Sequence, residues 1–278
     1  MGKYKSCPVA KLEHILLATD GSECSEGAIR EAFEIAKVCS SKLYVVSAVE
    51  TNPEFSAHAP DLVEQAAAET REHLEAMQKR AEDEGVNCET IAHHGGDVQD
   101  HILKEAEKVE AALIVMGRRG QSSLRRLMMG SVTELVVGRA PCDVLVVPRD
   151  ASMACLKILV ATDGSEESQR GVAEAIGLAK RCGSSLVAIS VARKKTEGEE
   201  ALNNVQWVKE FAEKEGVDIE TVTAIGSPYD NIVQTAKDKG VDMIVVGRKG
   251  ESGIKRLLMG SVTERVIGLA SCAVMVIV

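Results

Sequence analysis

Two copies of one glycine-rich segment carry the residue types best suited to chemistry. Gly117-Arg118-Arg119-Gly120, nine further residues and Gly130-Ser131-Val132-Thr133 recur as Gly247-Arg248-Lys249-Gly250, nine residues and Gly260-Ser261-Val262-Thr263. Each copy follows a short apolar run, ALIVMG at 112–117 or MIVVG at 243–247, and ends where a helical pattern begins. Glycines at a strand exit let main chain approach a ligand closely, and the unpaired amides of a helix start favour an anion, so the chemistry expected is phosphate binding. The spacing is neither GxxxxGK[ST] nor GxGxxG, which excludes the P-loop and the dinucleotide fingerprint. Ser131 and Ser261 are read as helix caps, each followed three residues on by Glu134 or Glu264 in a capping-box pattern. Such caps also occur where nothing binds, so the pattern alone does not fix a ligand.

These motifs must be held by a scaffold, and the scaffold is a repeat. HILLATDGSECSEGAIREAFEIAKVCSSKLYVVSAV from His14 returns as KILVATDGSEESQRGVAEAIGLAKRCGSSLVAISV from Lys157, an offset of 143 residues. GRRGQSSLRRLMMGSVTELVV from Gly117 returns from Gly247 at an offset of 130, with 13 of 21 positions identical. The change of offset places a 13-residue deletion in the second copy after Val191, removing most of NPEFSAHAPDLVE and leaving the second pocket expected to be more open. The repeat units run from about 14 to 148 and from 157 to 278, joined by PRDASMACL, which divides the chain into domains 1–149 and 150–278.

Each copy reads as five short apolar strands alternating with four helices. The strands are at 15–20, 43–49, 88–93, 112–117 and 143–148, and at 158–163, 186–191, 219–225, 243–247 and 273–278. Apolar strands between helices imply an α/β fold, two tandem open parallel five-stranded sheets with helices on both faces. Such sheets bind ligands beyond the carboxyl ends of their strands, where the strand order reverses. Asp20 and Gly117 both lie at such ends and are expected to meet. The final strands DVLVVP and AVMVIV have no following helix, so pairing them would bury two edges within one chain.

Composition narrows the function. The chain has 278 residues, 33 Lys and Arg against 42 Asp and Glu, and a formal charge of -9, a field that disfavours nucleic acid and anionic membrane as partners. No run reaches the roughly 18 apolar residues of a membrane span, and the start has no apolar leader, so a cytoplasmic protein is expected. Eight cysteines without a CxxC pair are read as free thiols, with Cys39, Cys182, Cys142 and Cys272 in the core. Cys24, placed in the first turn of a helix, is the one candidate for a reactive thiolate. His93, His94 and His101 with Asp97 invite a metal reading, which the second copy disfavours by carrying Ala224 and Ile225 there.

With the TDGS ends of the first strands (Thr19-Asp20-Gly21-Ser22 and Thr162-Asp163-Gly164-Ser165) and the G-2x-G-9x-G-[ST] spacing, nearly the whole chain resembles the universal stress protein family in its tandem, ATP-binding form. The resemblance implies a Rossmann-like fold of the adenine nucleotide alpha hydrolase type. It implies that Asp20 and Asp163 lie beside the nucleotide or an associated Mg2+, with Ala18, Thr19, Ala161 and Thr162 lining the same strand ends. Ala48 and Val191 would meet adenine through main chain, and Met116 and Val246 would cover the ribose and base edge. Gly117 and Gly247 belong to the segments that cover the ribose and base edge, Gly120 and Gly250 would approach the phosphates of ATP, ADP or AMP, Gly130, Ser131, Val132 and Thr133 and Gly260, Ser261, Val262 and Thr263 would hold them, and Arg118 and Arg248 would place positive charge beside them. Arg119, Arg125, Arg126, Lys249, Lys255 and Arg256 would add positive charge there.

The same resemblance implies that the intrachain pairing of last strands reproduces the family's dimer, while association of two chains stays open. The phosphate segment supplies no obvious base, so a nucleotide-responsive stress regulator or protective factor is favoured over catalysis. A nonenzymatic assembly protein with empty pockets and a slow ATPase remain the alternatives.

Overall fold

The computed structural model describes residues 7, 12–49, 58, 60–120, 129–250 and 259–278. In the first half, β1 (His14–Ala18), β2 (Lys42–Val49), β3 (Cys88–His94), β4 (Leu113–Gly117) and β5 (Asp143–Val147) alternate with α1 (Glu26–Cys39), α2 (Pro60–Glu84), α3 (Val98–Lys108) and α4 (Ser131–Arg139). The second half repeats this with β6 (Lys157–Ala161), α5 (Glu166–Cys182), β7 (Ser185–Ala192), α6 (Gly198–Lys214), β8 (Ile219–Ile225), α7 (Pro228–Lys239), β9 (Met243–Gly247), α8 (Ser261–Leu269) and β10 (Ala273–Ile277).

The strands form one open sheet in the order β3-β2-β1-β4-β5-β10-β9-β6-β7-β8. Within each half all pairings are parallel. At the centre β5 and β10 run antiparallel, with Leu145 opposite Met275. Helices cover both faces: α1, α2, α5 and α6 pack on one side around Phe33, Leu74 and Val208, and α3, α4, α7 and α8 on the other around Ile102, Val136 and Ile267. Central strands are therefore buried on both faces and read as continuous apolar runs. The outermost strands differ: β3 and β8 alternate between part-buried and exposed residues, because they stand at the two ends of the sheet.

Three expectations are corrected. The offset changes in two steps, since the left-handed Gly85 and Gly216 that precede β3 and β8 are 131 apart, so twelve residues are lost before α6 and one where Gly95-Gly96 becomes Gly226. Part of the excised segment is helix instead of connection: α2 has 25 residues and α6 has 17. Second, Cys7 and Cys39 form a disulfide, tying the residues before β1 to the end of α1, so not all eight cysteines are free. The other six are unbonded, and burial pushes Cys142 up to about 12 and Cys272 up to about 11, which leaves both as inert thiols. Third, Cys24 lies in a short 3-10 turn, Glu23–Ser25, ahead of α1.

Among the described residues, no helix is long and apolar enough to cross a membrane.

Candidate functional site

The order of strands reverses between β1 and β4 and again between β6 and β9, so each half opens a crevice beyond the carboxyl ends of those strands. In the second half this crevice is a cleft of about 580 Å³. Its floor is Ala161, Thr162 and Asp163 from the end of β6 and Ile189 to Val191 from β7. One wall is Val246, Gly247, Lys249 and Gly250, and the far end is Met259 to Thr263.

The local sequence explains this shape. Gly164, with φ 81, turns the chain sharply after Asp163, and Gly21 does the same after Asp20 with φ 72. The turn is fixed by its own side chains. Asp163 Oδ1 accepts from the amide of Ser165 at 3.2 Å and from its hydroxyl at 2.6 Å, and Asp20 accepts from Ser22 at 3.1 and 2.7 Å. Buried Thr162 and Thr19 reach the following helix through Ser168 at 3.1 Å and Ser25 at 3.0 Å.

The two motifs meet. A Cβ on Gly120 would stand 2.7 Å from Asp20 Oδ2, and one on Gly250 would collide with Asp163 Oδ2, so glycine lets main chain lie directly against the exposed carboxylate. Gly117 closes β4 against the chain before α1, where a Cβ would stand 2.9 Å from the carbonyl of Cys24.

The helix starts differ from the capping-box expectation. Gly130 and Gly260 are the N-caps of α4 and α8, with Ser131 and Ser261 the first helical residues, and neither cap has a side-chain bond. The reason is the tight path of the motif. The amides of Gly130 and Gly260 donate back to the carbonyls of Arg118 and Arg248, which leaves the glycines at the turn into the helix. Thr133 and Thr263 are buried and donate to the carbonyls of Gly117 and Gly247 at 3.0 and 2.8 Å, locking helix to strand. The amides of residues 261–263 precede the first helical bond, from Glu264 to Gly260, and these residues line the cleft at a helix start, where unpaired amides favour an anion.

Arg118 and Arg248 depart most from their expected role. Arg118 Nη1 donates to the carbonyls of Gly268 and Ala270 at 3.2 and 2.8 Å, and Arg248 Nη1 to Ala140 at 3.1 Å, each in the opposite half. Carbonyls at a helix end lack partners, and a guanidinium satisfies them. Lys249 remains at the cleft. Arg125, Arg126, Lys255 and Arg256 lie outside the described residues.

Ala18 pairs with Met116 across the crevice of the first half, and Ala48 lies near the end of β2 opposite His93. Two further groups escaped the sequence reading. In the second half Arg193, Glu197, Glu200 and Asn204 line the cleft, with the Glu197 carboxylate accepting from the amides of Arg193 and Lys194. The shortened β7–α6 connection thus supplies a wall; its counterpart at 50–57 lies outside the described residues. In the first half, His73 Nε2 is 3.2 Å from Thr19 Oγ1, at the position of Asn204 by the 131-residue offset.

The histidines near β3 make other contacts. His93 stacks on His101 and lies 3.3 Å from Glu105, while His101 meets the carbonyl of Gly95 at 2.6 Å. Among the described residues no three His, Cys, Asp or Glu side chains converge to hold a metal.

A doubly covered parallel sheet whose strand order reverses once in each half, with a crevice beyond the strand ends at each reversal, defines an α/β protein of the Rossmann-like class. The universal stress protein family model matches residues 11–148 and again 156–278, and the chain belongs to that family. Universal stress protein MJ0531 of Methanocaldococcus jannaschii is 38% identical over 140 residues, covering 44% of this chain and 81% of its own. YxiE of Bacillus subtilis is 33% identical over 144 residues, covering 44% and 97%. Over the whole length, a universal stress protein from Archaeoglobus fulgidus superposes with a TM-score of 0.78 at 24% identity, covering 96% of this chain and 99% of its own, which establishes the shared fold.

Proposed function

We propose that each half is a domain that binds an adenine nucleotide, ATP with Mg2+ in the first instance, and that the protein is a nucleotide-responsive stress regulator acting in the cytoplasm without efficient turnover. One observation carries the reading: Asp163, the main chain at Gly250 and the helix-start amides of Ser261 to Thr263 converge on a single cleft. The amides and the Lys249 ammonium suit phosphate oxygens. The apolar stretch of Ile189, Val191 and Val246 suits the flat face of a base, and main chain along Val191 can pair with its edge.

The residues fit a nucleotide whose phosphates carry most of the metal's coordination, with Asp20 or Asp163 adding one oxygen. That fit also argues against fast hydrolysis. Glu197 is held by two main-chain amides, and the motif residues offer donors where hydrolysis needs a base aimed at water.

The test is to purify the protein without added nucleotide, identify bound small molecules by mass spectrometry, and titrate it with ATP, with Gly130→Trp and Gly260→Trp closing one site each. The expected result is two sites in the parent and one in each variant. No binding at millimolar ATP would overturn the reading.

A further inference from the structure

We propose that Arg118 and Arg248 are positioning residues that couple the two sites, so that filling one raises the affinity of the other. The inference rests on the nucleotide reading above.

The geometry is reciprocal. The Arg118 carbonyl accepts from Gly130 at 3.0 Å, closing the glycine motif of the first half onto the N-cap of α4. Its guanidinium crosses to the second half and binds the carbonyls of Gly268 and Ala270, at the end of α8. The Arg248 carbonyl accepts from Gly260 at 2.9 Å at the N-cap of α8, and its guanidinium binds the carbonyl of Ala140, the C-cap of α4. Each of these nine-residue helices therefore starts in one site and has its end held by the motif of the other. The path through a helix is short, about 13 Å at 1.5 Å per residue.

The charges act in one direction. A phosphate at the start of α8 and a guanidinium at its end both align with the helix dipole. Burial holds the Arg118 pKa below its ordinary value, with the neighbouring Arg119 adding to the effect, and both bonds of its guanidinium are part-buried. A phosphate held at the N-cap of one half bears on the bond from that N-cap to the arginine carbonyl, and so on the main chain carrying the guanidinium that holds the other half's helix end. The second ligand then meets a helix whose far end is already held in place, and the cost of fixing that arrangement is met once, which is positive coupling.

The experiment is calorimetric titration of the full chain with ATP. Gly260→Trp gives the constant of the first site alone and Gly130→Trp that of the second. The overall constant for filling both sites in the parent, divided by the product of these two, is the coupling factor. It is expected to be about five-fold or more in the parent, and within about two-fold of one when Arg118→Met and Arg248→Met are added to all three forms. A factor of one in a parent that fills both sites overturns the coupling and leaves the nucleotide reading standing. A factor unchanged by the methionine pair overturns the role of the arginines. Absence of binding in every form overturns the nucleotide reading and the coupling with it. Thermal unfolding checks that the paired variant is folded; should it not be, Arg248→Met alone is expected to lower the factor in the same way, and an unchanged factor there overturns the proposal.

Discussion

His73 gives the first half a titratable group where the second has Asn204. Its ring packs on Gly21 and bonds Thr19, the residue that sets the turn before the motif, with Asp20 close enough to favour its charged form. Burial outweighs that attraction and lowers its pKa below the ordinary 6.5. The folded state thus resists protonation that the unfolded chain accepts. The stability this residue contributes is present above pH 6.5 and is lost as pH falls through the lowered folded value. His73→Asn is expected to cost on the order of 1 kcal/mol at pH 7.5, through the weakened Thr19 contact, and less at pH 5.5, where the parent has lost ground. Urea unfolding of both proteins at the two pH values checks this, and an equal cost at both would remove His73 as the source. The sequence showed the TDGS turn but not this neighbour, because a histidine in an amphipathic helix carries no mark of which strand end it faces.

At the scale of elements, the junction of β4 with α1 depends on an absent side chain. Gly117→Ala would bring a Cβ against the Cys24 carbonyl, main chain that cannot rotate away, so strand and helix start must separate. A loss of about 1 to 3 kcal/mol is expected. Because Gly117 also accepts the Thr133 hydroxyl, ATP affinity in the first half should fall while the second keeps its own. Denaturant midpoints with single-site titrations measure both, and an unchanged midpoint would show that the crevice yields more easily than its geometry suggests. Part of this was legible: apolar runs, glycine positions and the repeat sufficed for the parallel α/β sheet and for bringing the strand ends at Asp20 and Gly117 together, while the strand order and the contact of Asp20 with Gly120 came only with the structure. The helix caps were not, because Ser131 with Glu134 three residues on matches a capping box by residue type, whereas the first helical bond runs from Glu134 to Gly130 and puts the N-cap one residue earlier. The opposite-half partners of Arg118 and Arg248 were hidden for another reason: a carbonyl acceptor leaves no trace in residue type.

At the scale of the molecule, the halves are joined by more than the β5–β10 ladder. The connecting residues are stitched to both sides, with Arg30 donating to the carbonyl of Ala151, Glu31 accepting from the amide of Met153 at 3.3 Å, and Asp242 accepting from Ala154 and Leu156. Met153 is fully buried in a core cluster drawn from both halves, so the connection is part of the core and not a tether. Such a molecule should unfold in one transition. Asp143 tests this from the seam. Its carboxylate accepts from the amide of Val278 at 3.0 Å, joining β5 to the end of β10, and burial raises its pKa to about 6 from 3.8. The folded state therefore prefers the neutral acid. Its contribution is fully present below pH 3.8 and is lost as pH rises through 6, so at neutral pH the charged group is a burden. Asp143→Asn keeps the acceptor and removes the charge, and is expected to gain about 1 to 3 kcal/mol at pH 7.5. The gain should vanish below pH 4. In calorimetry the whole single transition should move upward, because a seam residue stabilises both halves together. Two transitions, of which the substitution shifts only one, would mean that the ladder and the buried connection leave the halves thermodynamically separate.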